Sequence, residues 1–327
     1  MEEIIRENIE AARSELPSSP SPFSSVIPKL QLAWDSTSLG LLKACPRKYQ
    51  YKMIENWNAR GEQHHLAFGI LYHSSLEAYD HAKTAGLSHD DATKAAVRHA
   101  LTNGRDFVGT ENPDTGTKGN NKSKATLVRA IVWYLEHFRD DPAKTVILAN
   151  GKPAVELSFR MELPIEAETG EAFMLSGHID RLVEMGGQTY ILDRKTTGST
   201  ISSYYYRQFN PHNQMTLYQF ASQVVLPKAA AGVIIDAAQL AVGFARFHRG
   251  MIMKGQGILN EWVNDLETWL RVAEGYAKAN SWPMNDTACG NYGGCEFQPV
   301  CSADPSVREM LLKNDFDKKI WNPLQAR

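Results

Sequence analysis

The chain has 327 residues, of which 43% are hydrophobic and 22% are charged, and its formal net charge at pH 7 is −2. This composition is typical of a folded globular protein, and the length is enough for one large domain or two smaller ones. The balanced charge excludes a chain that binds nucleic acid as a general polycation, so any such surface must be a local basic patch.

The sequence contains no apolar run of about 20 residues that could span a bilayer. Its acidic, amphipathic start, MEEIIRENIEAARSEL, lacks the basic and apolar segments of a signal peptide. We therefore predict a cytoplasmic protein with no membrane partner.

The first 29 residues are predicted to form an N-terminal helix, over residues 3–16, and a linker built around PSSPSPFSS. The folded body begins near Leu30. We predict a single domain over residues 30–327, with a helical part over 30–142, an α/β core over 143–280 and a cysteine-containing segment with a tail over 281–327.

The body opens with a helix that Ser36-Thr37-Ser38 caps and that Pro46 breaks or kinks. Its basic face has two interpretations, a solvated helix surface or a contact with nucleic-acid phosphates, and the sequence leaves both open. The basic residues concerned are Lys43, Arg47, Lys48 and Lys52.

Further helices are predicted over residues 67–82, 89–103 and 122–139. In the first of them, His73 and Glu77 lie four residues apart and so share a face. The polar stretch GTENPDTGTKGNNKSK before the last helix is predicted to be a long loop. The loop is either a plain surface insertion or a segment whose lysines contact phosphates. These lysines are Lys118, Lys122 and Lys124.

Strands are predicted over Thr145–Leu148 and Ala154–Met161, followed by a hairpin that turns at Gly186-Gly187. In the returning strand Asp193 and Lys195 lie two residues apart and project from one face, and the hairpin brings Asp180 to the same end. Two carboxylates and an ammonium group are typical of a hard metal site with a charge stabiliser, which is an arrangement suited to phosphodiester cleavage.

The rest of the core is predicted to contain the helix PHNQMTLYQFASQVV, the strands GVIIDAAQLAV and FARFHRGMI, and a long helix over Leu259–Lys278. The second strand presents Arg246 and Arg249, which we take as candidate nucleic-acid contacts. We therefore predict an α/β fold with a central mixed β-sheet flanked by helices.

The pattern Gly177-x-x-Asp180 followed by Asp193-x-Lys195 resembles the PD-(D/E)xK nuclease superfamily in its RecB-like branch. The resemblance implies a restriction-endonuclease-like core. The earlier pattern G-x-x-x-H-x-x-x-E, which contains His73 and Glu77, and the later Q-x-x-x-Y, which contains Gln214 and Tyr218, resemble that branch too.

For the site, the resemblance implies that the ligands of one or two Mg²⁺ or Mn²⁺ ions are His73, Asp180, Asp193 and the main-chain carbonyl of Arg194. Lys195 would orient the attacking water or neutralise charge on the phosphate. Gln214 and Tyr218 would support the site and contact the substrate strand. Glu77 and Glu156 are candidates for additional support.

The four cysteines are Cys45, Cys289, Cys295 and Cys301. A cytoplasmic chain rarely keeps disulfides, so a metal role is favoured, and four thiolates suit zinc or a [4Fe–4S] cluster. One upstream cysteine and three downstream resemble the iron–sulfur nucleases of the AddB type and of CRISPR adaptation, which implies a cluster with a structural role. The five-residue gaps within the trio depart from the shorter spacing of those families, and zinc and unligated thiols remain the alternatives.

The resemblance implies a metal-dependent DNA exonuclease that acts on linear or single-stranded DNA in recombination, repair, phage DNA metabolism or CRISPR adaptation. An endonuclease and a non-catalytic DNA-binding scaffold are the alternatives. The chain contains no G-x-x-x-x-G-K-[ST] motif, so any unwinding would come from a partner such as a helicase. A recombinase or a CRISPR-adaptation protein are other candidate partners.

Overall fold

The computed structural model describes residues 21–61, 64–104, 123–241 and 243–325. The predicted helix over residues 3–16 lies outside these ranges, as do Lys118 and Lys122 of the predicted loop. No helix in the described residues is both long enough and apolar enough to cross a membrane.

The helices and strands lie close to their predicted positions. The helices are α1 Ser36–Ala44, α2 Pro46–Tyr49, α3 His64–Thr84, α4 His89–Asn103, α5 Lys124–His137, α6 Ser203–Arg207, α7 Asn213–Val225, α8 Gln256–Ala279, α9 Gln298–Ser302 and α10 Arg308–Asp315. The strands are β1 Ala33–Trp34, β2 Trp57–Ala59, β3 Lys144–Thr145, β4 Val155–Glu166, β5 Ala172–Met185, β6 Gln188–Thr197, β7 Gly232–Leu240, β8 Ala245–Ile252 and β9 Phe316–Lys318. A π-helical turn, Gln50–Ile54, follows α2.

Seven of the described strands form one mixed sheet in the order β1-β5-β6-β7-β8, and β3 and β4 also pair with β5. β5 and β6 are antiparallel, β6 and β7 are parallel, and β7 and β8 are antiparallel. The connection between β6 and β7 contains helix α7, because two parallel strands need a long crossover connection. The predicted mixed α/β fold with flanking helices is confirmed.

A tight turn sets the register of the central hairpin. Gly186 and Gly187 have φ values of 58° and 73°, which are the two positive values that a type I′ turn needs. The turn pairs Met185 with Gln188, and the same register continues to the pair Arg181 and Leu192. Because the register is fixed at the turn, the faces on which Asp180 and Asp193 project are fixed too.

The chain divides into two compact units, and the predicted single domain over residues 30–327 stays a prediction. Of the described residues, those within 1–61, 158–177 and 255–327 belong to unit 1, and those within 62–157 and 178–254 belong to unit 2. A core of unit 2 is formed by α3, α4, α5 and β7, with Phe68, Tyr72 and Ile131 buried in it. A core of unit 1 packs Tyr51, Phe297 and Phe316 together.

The start of unit 1 differs from the predictions in two details. Asp35, rather than Ser36-Thr37-Ser38, is the N-cap of α1, because its carboxylate accepts a hydrogen bond of 2.7 Å from the backbone N–H of Ser38. The folded chain also begins before Leu30, since the backbone N–H of Ser25 donates to Glu171 over 3.0 Å. Pro46 is at the first position of α2 and separates it from α1, as predicted.

Unit 2 contains a network of buried ion pairs. Arg249 forms two hydrogen bonds with Asp141, of 2.6 and 2.8 Å, and Asp236 lies 3.3 Å from its Nε. Arg181 lies 3.6 Å from Asp141 on the other side. Burial by itself would raise the pKa of Asp141, but the hydrogen bonds and charge of Arg249 outweigh it and hold that pKa below its usual value.

Replacing Asp141 with Asn should lower the free energy of unfolding at pH 7 by about 2 kcal/mol, because it leaves Arg249 partly buried with one partner fewer. A carboxylate whose folded pKa is lowered contributes stability above its unfolded pKa and loses it as the pH falls through the folded value. The difference between variant and parent, measured by urea unfolding, should therefore shrink below about pH 4. Asp140→Asn, at the exposed neighbouring residue, is the control. A destabilisation that does not depend on pH would contradict the ion-pair explanation.

Candidate active site and cysteine cluster

Strand β6 presents its three central polar residues to two different helices. Side chains alternate along a strand, so Asp193 and Lys195 share one face and Arg194 projects from the other. The ammonium of Lys195 lies 3.2 Å from Gln214 Oε1 in α7. The guanidinium of Arg194 donates over 2.8 Å to Asp80 in α3, and both of these side chains are buried. The strand is thus fixed from both sides at this point.

Asp180 of β5 is the point where three elements meet. Its Oδ2 accepts a 2.8 Å hydrogen bond from the backbone N–H of Arg194 in β6 and lies 3.4 Å from Nδ1 of His73 in α3. Ligand atoms of His73, Glu156 and Asp180 all lie within 4.8 Å of one another. One imidazole nitrogen and two carboxylate oxygens at this spacing could bind a divalent cation such as Mg²⁺ or Mn²⁺.

Glu156 has an unusual backbone conformation. Its φ is 47°, in the left-handed region that residues other than glycine rarely adopt. Glu156 is the second residue of β4. Such a conformation costs on the order of 1 kcal/mol and persists where the surroundings require it, often at functional sites. The cost is consistent with a backbone that is bent to aim the Glu156 carboxylate at His73 and Asp180.

Asp193 is a fully buried carboxylate with few partners. Its Oδ2 lies 2.7 Å from the Lys195 ammonium, and its Oδ1 has no hydrogen-bond partner among the described residues. Burial, with the Asp180 charge added, raises the pKa of Asp193 to about 6 although Lys195 opposes the rise. A buried carboxylate oxygen without a donor is the kind of group that a cation compensates, so the side chains present fit a metal ion.

Lys195 remains charged although it is partly buried. Burial lowers the pKa of this ammonium, but the carboxylates of Asp193 and Asp180 outweigh burial and raise it above its ordinary value. Gln214 accepts from Lys195 over 3.2 Å and donates over 2.9 Å to the hydroxyl of Tyr218. The structure thus brings Lys195 of the predicted strand together with Gln214 and Tyr218 of the predicted helix.

Two side chains near Lys195 were missed by the sequence analysis. His212 precedes α7, and burial, followed by the charges of Lys195 and Lys254, lowers its pKa and favours the neutral imidazole. Tyr205 of α6 interacts electrostatically with Lys195 and Asp193. Their only signal in the sequence is that they lie between the strand of Lys195 and the helix of Gln214, which does not distinguish them from neighbouring polar residues.

Two predicted site residues make contacts other than those that were predicted. Glu77 lies 3.5 Å from Nε2 of His81, one helical turn further along α3, and does not belong to the group formed by His73, Glu156 and Asp180. For Arg194 the contact made at the site is that of the backbone N–H with Asp180, and the role of its carbonyl as a metal ligand stays a prediction.

The predicted basic contacts separate into different environments. Arg249 forms ion pairs with Asp141 and Asp236 inside unit 2, and its role as a DNA contact stays a prediction. In unit 1, Lys52 and Lys48 lie 2.7 and 4.0 Å from the carboxylate of Glu296. Three residues make other contacts: Arg47 with the carbonyl of Trp282, Lys43 with the ring of Trp269, and the exposed Arg246 with the ring of Phe244.

The four cysteines lie near one another in unit 1. Burial raises the pKa of the Cys289 thiol, and the neighbouring Cys295 and Cys45 raise it further. Burial, opposed by the charge of Arg47, also raises the pKa of Cys301, and Cys295 and Cys45 add to that rise. All four thiols therefore interact electrostatically, although Cys45 is separated from the others by more than 240 residues of the sequence.

The backbone around the cysteines forms a cradle. Cys45 lies between α1 and α2 in an extended conformation, and its sulfur accepts a hydrogen bond of 3.4 Å from the backbone N–H of Asn285. The backbone N–H of Cys295 donates to the carbonyl of Cys289 over 2.8 Å, which closes the loop between them. Arg308 donates to the carbonyl of Cys301 over 3.0 Å. Backbone donors and guanidinium groups would stabilise anionic thiolates here.

Comparisons with known proteins give one assignment. No curated protein matches this chain. Among solved structures, the chain is similar to a candidate exonuclease from Eubacterium rectale, at 11% identity and a TM-score of 0.46, over 89% of this chain and 100% of that one. It is also similar to the protein SSO0001, at 12% identity and a TM-score of 0.35, over 92% and 96% of the two chains. The model of the PD-(D/E)XK nuclease superfamily matches residues 34–302, which include every residue of the acidic site and all four cysteines. The protein therefore belongs to the PD-(D/E)XK nuclease superfamily.

Proposed function

We propose that the protein is a metal-dependent deoxyribonuclease whose metal site is formed by His73, Glu156, Asp180 and Asp193. The observation that carries the proposal is that ligand atoms of the first three lie within 4.8 Å of one another. Asp193 is added because the charge of Asp180 acts on it and because its buried Oδ1 has no hydrogen-bond partner among the described residues. Glu156, which the sequence suggested only as support, is here a ligand. Mg²⁺ or Mn²⁺ bound there would polarise the scissile phosphate and lower the pKa of the attacking water.

The other residues of the site position groups and supply charge. Lys195 remains an ammonium because Asp193 and Asp180 raise its pKa, so it can stabilise negative charge that develops on the phosphate. Gln214 restricts the position of this ammonium, and Tyr218 restricts Gln214. The backbone N–H of Arg194 orients the carboxylate of Asp180, and the buried Asp80 fixes the Arg194 side chain.

Among nucleases, we propose an exonuclease acting on linear or single-stranded DNA, with an endonuclease as the alternative. The test is cleavage of end-labelled linear DNA, single- and double-stranded, beside circular DNA, by anaerobically purified protein with Mg²⁺ or Mn²⁺. Metal-dependent loss of linear DNA only is expected. Cutting of circles would favour the endonuclease, and a protein that binds DNA without cleaving any of these substrates would refute the nuclease proposal.

The assignment of Glu156 predicts a separable effect on metal binding. Glu156→Gln keeps the shape of the side chain but removes its charge, so the affinity for Mn²⁺ should fall by roughly tenfold or more, while the thermal unfolding temperature changes little. Isothermal titration with Mn²⁺ measures the affinity. Glu162→Gln, an exposed glutamate on the same strand, is the matched control and should bind Mn²⁺ as the parent does. Equal affinities in the two variants would remove Glu156 from the site.

We also propose that Cys45, Cys289, Cys295 and Cys301 bind a [4Fe–4S] cluster with a structural role. The electrostatic proximity of the four thiols supports the proposal, as do the arginines beside them, because a cluster with four thiolates carries net negative charge. Zinc is the alternative that metal analysis distinguishes. We further propose that any unwinding of duplex DNA comes from a partner such as a helicase, a recombinase or a CRISPR-adaptation protein.

A further inference from the structure

An open groove of about 530 Å³ lies along β8, the strand at one end of the described sheet. It is within the volume range of about 300–1,000 Å³ that is typical of ligand sites. Trp133 and His137 of α5 line one side, and Arg246 and His248 of β8 line the other. None of the residues that line it is acidic, so its charge favours an anionic ligand.

Two arginines stack on exposed aromatic rings beside the groove. The guanidinium of Arg129 lies 5.2 Å from the ring centre of Trp133, and that of Arg246 lies 5.4 Å from the ring centre of Phe244. The two rings are 41% and 44% exposed. Within the described ranges, neither guanidinium forms an ion pair, whereas Arg181, Arg194 and Arg249 in the interior all do. These two cations are therefore available to an external anion.

Two hydrogen bonds through Ala241 link the two stacked pairs. Arg129 also donates over 3.0 Å to the carbonyl of Ala241, and the backbone N–H of Ala241 donates over 3.0 Å to the carbonyl of Phe244. The end of β7 therefore connects the helical pair to the strand pair. Exposed aromatic faces with adjacent guanidinium groups are the combination by which proteins bind single-stranded nucleic acid without sequence preference.

The register of the sheet aligns the β8 side of the groove, but not the α5 side, with the catalytic lysine. Lys195 of β6 is paired with Ala237 of β7, which is paired with His248 of β8, so the side chains of Lys195 and His248 project from the same face. Neighbouring strands are about 4.8 Å apart, which places these two Cα atoms about 10 Å from each other. This separation of about 10 Å is short compared with the length of an extended strand of DNA.

Helix α6 lies between the catalytic pair and the groove. The Tyr206 ring lies so close to Gly250 of β8 that a Cβ added there would come within 2.3 Å of it. The hydroxyl of Tyr206 makes a 2.9 Å hydrogen bond with Nδ1 of His248, which lines the groove. The preceding Tyr205 interacts electrostatically with Lys195 and Asp193. Two adjacent tyrosines thus extend from the catalytic centre to the groove.

We propose that this groove is the binding track for the single-stranded part of the DNA substrate, with Trp133 and Phe244 stacking on bases and Arg129 and Arg246 contacting phosphates. The inference rests on the proposed nuclease function and names the form of DNA that the site takes. Because every base has a face that can stack, the track binds without marked sequence preference.

The test is the binding of a fluorescein-labelled oligo(dT) of about 15 nucleotides to the full chain carrying Asp193→Asn, so that cleavage does not interfere. Anisotropy titrations at several salt concentrations give the Kd and its salt dependence. Trp133→Ala should raise the Kd about tenfold without changing the salt slope, because stacking is lost and no phosphate contact is. Arg246→Ala should reduce the slope of log K against log salt by about 0.7, the value for one phosphate contact on a single strand.

Three controls make the outcome specific. Arg160→Ala removes an exposed arginine from β4 and should change neither quantity. Trp133→Phe retains an aromatic face and should restore most of the affinity, which a folding defect at this residue would not allow. Binding of a blunt duplex of the same length should be less sensitive to Trp133→Ala than binding of oligo(dT).

Unchanged Kd and salt slope in Trp133→Ala and Arg246→Ala would overturn the track, as would equal weakening of single- and double-stranded binding. Cleavage of the same oligonucleotide by the unsubstituted chain with Mn²⁺ tests the proposed nuclease function separately. A chain that shows the predicted binding pattern but does not cleave would refute the nuclease proposal and support the track.

Discussion

Replacing Asp193 with Asn should reduce metal-dependent DNA cleavage by on the order of 10³-fold or more while leaving the fold intact. The substitution keeps the volume of the side chain and removes the negative charge from a fully buried carboxylate whose Oδ1 has no partner among the described residues. The metal ion loses a ligand, and Lys195 loses the carboxylate that lies 2.7 Å from it. Initial cleavage rates with Mn²⁺ measure the effect, and circular dichroism with thermal unfolding checks the fold.

The matched control for Asp193 is Asp265→Asn, which neutralises an exposed carboxylate on α8 and should cleave as the parent does. Asp193→Ala should be as inactive as Asp193→Asn, because both remove the charge. A folded Asp193→Asn protein that cleaves DNA within about tenfold of the parent rate would overturn the assignment of this residue to the metal site.

Replacing Cys289 with Ser should remove the proposed cluster and destabilise unit 1. Anaerobically purified parent protein should be brown, because iron–sulfur clusters absorb visible light. It should contain about four iron atoms per chain. The variant should lose the colour and most of the iron. Its unfolding temperature should fall by at least about 10 °C, because a metal group that bridges distant segments contributes several kcal/mol to folding.

The physical reason for the destabilisation is the position of the cysteines. Cys45 lies between α1 and α2, and the other three lie in the segment that packs Phe297 and Val300 against Tyr51. Without a central group, these segments are joined by apolar packing and by polar contacts. The polar contacts are the hydrogen bonds of Asn285 with the Cys45 sulfur and the Ala44 carbonyl, that of Arg47 with the Trp282 carbonyl, and the ion pair of Lys52 with Glu296. Ser302→Ala, next to Cys301 and exposed, is the control and should retain iron and stability. A colourless parent with about one zinc per chain would replace the cluster with zinc.

The central hairpin shows how much of the site local sequence can predict. The spacing of Asp193 and Lys195 puts them on one face through the period of two, and the two glycines at the turn fix the register against β5. The helices that contain His73 and Gln214 were predictable for the same reason, because each has apolar residues at helical spacing within a short stretch of sequence.

The charged residues around the hairpin could not be assigned from the sequence. Arg249 looks like an exposed strand arginine in the sequence, but in the structure it is bound by Asp141, which lies 108 residues earlier. Asp80 and Arg194 form a buried pair over 114 residues in the same way. Whether a charge faces solvent or a buried partner depends on contacts between distant segments, and no local pattern encodes those contacts.

Glu156 is the clearest residue for which the tertiary structure decided the role. Alternation along β4 only assigns it to one face of a strand, whereas the structure gives it a positive φ and places its carboxylate within 4.8 Å of ligand atoms of His73 and Asp180. His212 and Tyr205 likewise interact with Lys195 although they lie in the chain between β6 and the helical part of α7.

By itself, the sequence determined the mixed α/β fold, the hairpin with Asp180, Asp193 and Lys195, and the candidate set of cysteines. Hydrophobic periodicity, turn residues and side-chain alternation act over a few residues, so they can be read along the chain. Only the tertiary structure decided that Glu156 joins His73 and Asp180, that Arg249 is bound internally while Arg246 is exposed, and that an aromatic groove lies two strands from Lys195. Those features depend on sheet order and on packing between distant segments, which are set when the whole chain buries its core.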